Sequence, residues 1–248
     1  MEPDGVEVSG RIGKDPKAVG AMFSSIAPVY DRLNRALSLW QDVAWRRQLV
    51  RGADLPERGL VLDLCTGTGD IAIGFITERL DFKGLVLAVD FSAMMVDRAR
   101  GKLAKLGAPY ASRVEFLMGD ALDLQYPDEK FDVVAVAFGV RNFFDVPRGL
   151  KEIHRVLKVG GQVNILEFFP GQTRGPARWY ARRFVPWIGS LVSGTSAYWY
   201  LERSSDEFYR PEDFEQLLAA QGFLEISWER LTFGVAHIVR ARKRTVTR

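Results

Sequence analysis

Directly after the apolar run that holds Asp63 comes a glycine-bearing turn, Cys65-Thr66-Gly67-Thr68-Gly69-Asp70. Gly67-Thr68-Gly69-Asp70-Ile71-Ala72 fits the pattern G-x-G-x-x-G/A, whose small residues let backbone N–H groups come close to a nucleotide. Asp90 ends the next apolar run, 21 residues after Gly69, where a carboxylate can accept from both hydroxyls of a ribose. These two features suit a nicotinamide dinucleotide as well as S-adenosylmethionine, and a tight turn holding no ligand uses the same glycines.

Two further acids separate the cofactors. Asp63 lies four residues before Gly67, where it would repel a pyrophosphate. S-adenosylmethionine has no phosphate and carries a sulfonium and an ammonium, so an acid there is favourable. Asp120, in Met118-Gly119-Asp120-Ala121, follows a third apolar run and can accept from an adenine amino group. The joint placement points to methyl transfer from S-adenosylmethionine.

Strands and helices must alternate to hold these residues at one edge. Short β-rich runs at 60–64, 84–89, 114–118, 131–138 and 162–168 predict strands, with helices at 71–80, 94–106 and 150–157 between them. Lys158-Val159-Gly160-Gly161 reads as a turn into the fifth strand. A helix at 211–221 starts with Pro211 and stops before Gly222, and 223–228 with 231–241 form a closing strand pair. The expected fold is α/β: a class I methyltransferase (Rossmann-like) sheet of seven mainly parallel strands with helices on both faces. Residues 1–15 read as a flexible tail and 16–248 as one methyltransferase domain. Within it, 16–52 form a cap of two or three helices interrupted near Pro28, and 170–205 a helical insertion after strand five.

Composition excludes several classes. A hydrophobic share of 47% and a charged share of 26% are those of a globular protein. The longest apolar runs are far shorter than the roughly 20 residues that span a bilayer. One cysteine allows no internal disulfide, and the first residues lack a leader's basic and apolar regions, so the cytoplasm is expected. Two histidines and one cysteine without ligand spacing predict no metal site. A formal charge of +3 is too small for a nucleic-acid binder.

Several segments resemble the quinone-biosynthesis C-methyltransferase family, whose members methylate demethylmenaquinol or polyprenyl-methoxybenzoquinol rings. They are Tyr30-Asp31-Arg32-Leu33-Asn34 with Ser38 and Trp45-Arg46, residues 63–70, Asp90-Phe91-Ser92, Phe138-Gly139-Val140-Arg141-Asn142, Arg155-Val156-Leu157-Lys158 and Leu166-Glu167-Phe168. The resemblance runs from about residue 19 to 242 and implies cofactor contacts at Thr68, Asp90, Asp120 and Ala121. Asp42 stands where the family has His, and Val159 where it has Pro.

Ring methylation needs an electron-rich carbon, which loss of a neighbouring hydroxyl proton provides. An arginine stays protonated in proteins, so Arg141 suits stabilising a phenolate or orienting a water, while Tyr30 and Asn142 position the ring or that water. Arg141 is also readable as one half of a surface ion pair, and Tyr30 as plain helix packing. The fourth strand lacks the Asn/Asp-Pro-Pro-aromatic motif of nucleic-acid amino methyltransferases. Another small apolar acceptor, such as a lipid, sterol-like molecule or polyketide, remains an alternative.

His154 reads as solvated, His237 as strand packing and Cys65 as a small buried residue. From 174 to 201 the chain has four arginines, three of its six tryptophans and no acid. That composition suits a substrate lid or contact with the inner face of the membrane. A homo-oligomer, or a complex with other quinone-biosynthesis enzymes, is compatible with this reading.

Overall fold

The computed structural model describes residues 16–175 and 204–244. The tail at 1–15 and the basic, aromatic stretch at 176–203 lie outside the described residues. Strands β1 (Leu60–Leu64), β2 (Leu85–Asp90), β3 (Val114–Met118), β4 (Phe131–Ala137), β5 (Leu157–Glu167), β6 (Phe223–Leu231) and β7 (Ala236–Lys243) form one sheet in the order β3-β2-β1-β4-β5-β7-β6. The first five strands run parallel, and β7 is antiparallel to both neighbours. This is the expected mainly parallel α/β sheet.

Val61 to Leu64 in β1 are all buried, because a central parallel strand is covered on both faces and cannot alternate with solvent. On one side lies an apolar cluster containing Trp45, Leu49, Phe75, Val96 and Phe116; on the other lies one containing Leu150, Ile153, Phe214 and Leu218. The first face is supplied by α3 (Gln41–Arg51), α4 (Asp70–Thr77) and α5 (Ala93–Ala104), and the second by α7 (Val146–Val156) and α8 (Pro211–Ala220). A short helix α6 (Ala108–Ala111) precedes β3, and α1 (Pro16–Ile26) and α2 (Tyr30–Ser38) complete the N-terminal helices, with the break at Pro28.

Residues 158–161 are not a turn: α7 passes directly into β5 at Leu157. Gly160 adopts φ +76°, and the pairing with β4 shifts between Phe131 and Val133, so the glycine pair forms an irregularity inside the strand. β6 also runs on to Leu231, and the reversal falls at Thr232–Gly234.

The segment Arg155-Val156-Leu157-Lys158 fastens the sheet edge opposite the glycine turn. Arg155 donates to the carbonyls of Leu124 and Tyr126 and pairs with Glu152 and Asp128. Lys158 holds Asp132, whose Oδ2 also accepts from Leu60 N. That part of the resemblance is architectural. Among the described residues, no helix is long and apolar enough to cross a membrane.

Candidate cofactor and acceptor site

Neighbouring strands β1 and β4 are followed by connections leading to opposite faces, which opens the crevice where open α/β sheets bind ligands. Cys65 and Phe138, the residues just past these two strands, both adopt left-handed φ, +57° and +58°. A Cβ on Gly139 would lie 2.6 Å from Cys65 Cβ, so the two turns pack back to back.

The glycine turn is braced from below by Asp63. Its Oδ2 accepts from Thr66 Oγ1 at 2.5 Å and Ala72 N at 3.0 Å, while Oδ1 is buried without a hydrogen-bond partner. Burial pushes this carboxyl up to about 7, against those two hydrogen bonds and with help from Asp90 and Asp70. Asp90 accepts from Gly67 N through Oδ2 (2.8 Å) and from Ser92 N through Oδ1 (2.9 Å), and burial raises its pKa also.

The two glycines differ. A Cβ on Gly69 (φ +83°) would sit 2.7 Å from the Phe116 ring, whereas one on Gly67 (φ +55°) would meet nothing within 4 Å. Gly69 serves packing, and Gly67 borders open space a ligand can approach. Gly69→Ala is expected to destabilise by about 2–4 kcal/mol. Gly67→Ala should cost only about 1 kcal/mol of strain but weaken cofactor binding more, a reversal read by denaturation and calorimetric titration.

Gly119 N donates to Asp90 O (3.1 Å), which brings the end of β3 to the same edge. Asp120 is exposed there, accepting from Leu122 N, and Ala121 is buried beside it. Burial pushes the Cys65 thiol up, and Asp90, Asp63, Asp120 and Glu167 add to the rise. Cys65, expected to be buried, is partly buried and packs against the second apolar cluster, and the crevice around it is lined with carboxylates. Such a field repels a pyrophosphate and favours a ligand bearing an ammonium and a sulfonium, for which the buried, unpartnered Asp63 Oδ1 is a candidate acceptor. The residues present fit S-adenosylmethionine.

Arg141 is not a surface ion pair. Its guanidinium is buried, with Nη1 2.5 Å from Glu167 Oε1 and 3.0 Å from Phe138 O. It lies over the rings of Phe138 (5.9 Å) and Phe168 (5.5 Å), which are 4.7 Å apart, and Trp45 meets both at 6.2–6.3 Å. Asn142 donates its side-chain amide to Phe138 O (3.2 Å). Burial raises the Tyr30 phenol; Arg46, the Asn34 side chain and Arg141 pull it down, and Asp90 adds to the rise. Tyr30, Arg141 and Asp90 therefore belong to one electrostatic neighbourhood.

An ionic network that spacing alone does not reveal joins the N-terminal helices to the glycine turn. Asp31 in α2 accepts from Thr68 Oγ1 (2.6 Å) and Lys102 Nζ (2.8 Å), and Lys102 also reaches Thr68 Oγ1 and Asp70. Burial works against the Asp31 carboxylate, yet Lys102, Thr68 and Arg35 together hold it below its usual value. Arg35 and Arg46 approach Asp70, and Arg46 pairs with buried Asp42, which Ser38 also caps. The carboxylate that replaces the family's His is thus neutralised within α3. The Thr68 hydroxyl is engaged by Asp31 and Lys102, so the network fixes how the turn is presented. Asp31 and Asp70 stood inside the resembling segments; Lys102 had no sequence signal.

His154, expected in solvent, is half-buried edge-on against Phe223 at 5.1 Å, and burial lowers its pKa. His237 is buried against Phe169 and Trp228, and burial, with Arg230, lowers its pKa to about 4.

Comparison with known proteins agrees with this geometry. A demethylmenaquinone methyltransferase of Deinococcus radiodurans is 46% identical over 224 residues, 89% of this chain and 90% of the relative. The ubiquinone/menaquinone biosynthesis C-methyltransferase UbiE of Geobacter sulfurreducens is 41% identical over 94% of this chain and 91% of its own length. In fold, the chain is similar to a S-adenosylmethionine-dependent methyltransferase of Thermotoga maritima, with a TM-score of 0.63 and 21% identity over 90% of this chain and 99% of that one. The model of the ubiE/COQ5 methyltransferase family matches residues 11–243, and with the acid-lined crevice this makes the chain a S-adenosylmethionine-dependent methyltransferase belonging to that family.

Proposed function

We propose that the chain methylates a ring carbon of a reduced, prenylated quinol in menaquinone or ubiquinone biosynthesis, with demethylmenaquinol the favoured acceptor. The observation that carries this reading is the buried Arg141, clasped by Glu167 and set over Phe138 and Phe168 at the edge that holds the cofactor turn. The names of the relatives in Deinococcus radiodurans and Geobacter sulfurreducens support the acceptor class.

S-adenosylmethionine supplies a sulfonium methyl that a carbon nucleophile can accept. The rings of Phe138 and Phe168 offer apolar walls to a flat quinol, and the Arg141 charge lowers the cost of its phenolate. The hydroxyl proton would pass to water, and the phenolate carries electron density onto the neighbouring ring carbon; that carbon would take the methyl as its bond to sulfur breaks, leaving a neutral thioether, and then lose its own proton to water. Tyr30, whose raised pKa keeps it a neutral donor at working pH, and Asn142 orient the ring or that water. Asp63, Gly67, Thr68, Asp90, Asp120 and Ala121 would hold the cofactor, and Gly69, expected from the sequence as a contact, serves instead to pack the turn against Phe116. Because the acceptor's prenyl tail dissolves in the bilayer, the enzyme works against the inner face of the membrane.

The test is methylation of chemically reduced demethylmenaquinone by the purified chain, with the product located by mass spectrometry. Transfer to ring carbon is the expected result. Transfer only to a hydroxyl, or only to a lipid or sterol-like acceptor, overturns the reading. Loss of the protein should leave the unmethylated quinone accumulating in cells.

A further inference from the structure

Three of the chain's large apolar side chains are turned outward on two neighbouring turns. Leu39 and Trp40, between α2 and α3, are 60% and 66% exposed, and Phe233, between β6 and β7, is 67% exposed. All three adopt left-handed φ, +51°, +65° and +56°, as does Thr232 at +41°. This conformation is unfavourable for residues with a side chain, and these side chains gain no burial from it. The turns are tied together: Thr232 Oγ1 accepts from Trp45 Nε1 (2.8 Å) and lies 3.2 Å from Gln41 Oε1.

The face is basic as well as apolar. Arg174 N donates to Phe233 O (3.0 Å) and Thr173 Oγ1 to Gly234 O, which brings a third segment alongside. The stretches 36–41, 170–175 and 230–235 carry Arg174 and Arg230, both exposed, and no acid. In the sequence, residues 176–201 hold three further arginines and no acid. An aromatic path leads inward from this face: Thr232 touches Trp45, Trp45 meets Phe168 and Phe138, and these flank Arg141.

We propose that Leu39, Trp40 and Phe233 form a docking face that dips into an anionic lipid surface, with Arg174 and Arg230 at headgroup depth. Isolated aromatic and aliphatic tips ringed by cations match a headgroup boundary, where apolar side chains enter the acyl region and cations meet lipid phosphate. The inference rests on the prenylated-acceptor reading for its purpose: the face sets the aromatic path against the bilayer that stores the tail.

The test uses the full chain and co-sedimentation with vesicles of phosphatidylglycerol and phosphatidylethanolamine, or of phosphatidylcholine alone. The wild-type chain is expected on the anionic vesicles, with binding that weakens as salt rises. The variant Trp40→Asn with Phe233→Asn suits the left-handed turns, so its Tm should hold while its partition falls by about tenfold or more. Its rate with a tail-less, water-soluble quinol should match wild type, and its rate with a long-tailed quinol in vesicles should drop. Equal partition of variant and wild type, no wild-type binding to anionic vesicles, or preference for neutral ones at all salt concentrations overturns the proposal. So does an equal loss of rate on the soluble quinol, which would make these turns part of the ring site. If wild type binds vesicles but methylates neither quinol, the acceptor reading fails while the docking face stands.

Discussion

Arg141→Met is expected to cost about 3–5 kcal/mol of unfolding free energy and to lower turnover by about 100-fold or more, while leaving cofactor affinity nearly unchanged. The two effects have different origins. Removing the guanidinium leaves Glu167 with a buried charge and, among the described residues, no counter-ion, since the Glu167 side chain is fully shielded and its main partner is Arg141 Nη1 at 2.5 Å. Adding Glu167→Gln removes that charge and keeps an oxygen for Phe168 N, which Oε1 now accepts at 2.9 Å. The double variant should therefore recover most of the stability, measured by urea unfolding, and none of the turnover. Recovery of both would show that Arg141 only holds the fold together at this edge. Glu167 is then a positioning residue, fixing the guanidinium against Phe138 and Phe168 before an acceptor arrives.

That pairing marks the limit of what the sequence makes legible. Strand positions at 60–64 and 114–118 follow from local apolar runs and match β1 and β3 residue for residue. The crevice follows too, because parallel strands joined by helices put Asp63, Asp90 and Asp120 at one edge. The 158–161 segment misleads because Gly-Gly is the local signature of a turn, yet the β4 register turns it into an irregularity within a strand. The chemistry of Arg141 is legible but its burial is not, because its neutralising partner lies 26 positions away, on the next strand. The Asp31, Lys102 and Asp70 network is likewise a product of tertiary packing, drawn from α2, α5 and the head of α4. Local pattern reveals elements and the edge they share; which charges meet there depends on how the elements dock.

Asp63 gives the second large effect, and its sign differs between the free and bound protein. In the free protein its carboxyl titrates near 7, raised from about 4 by burial, so the folded state holds a proton that the unfolded chain releases. Stability of the cofactor-free chain should therefore fall as pH rises from about 4 to 7, by at most about 4 kcal/mol, and stay level above that. A bound cation reverses the preference, because the ionised carboxylate, with Oδ1 still lacking a partner, gains its counter-charge. Cofactor binding should release a proton near pH 6–7 and tighten as pH rises, by roughly tenfold for each unit the carboxyl pKa drops on binding. Calorimetry in two buffers of different ionisation heat measures that proton directly. Asp63→Asn keeps an oxygen for Thr66 and Ala72, so the variant should be more stable than wild type at pH 8 without cofactor. It should also bind S-adenosylmethionine more weakly and release no proton. Unchanged affinity and pH dependence in this variant would leave Asp63 as a brace for the glycine turn alone, and would assign the cation's counter-charge to Asp90 and Asp120.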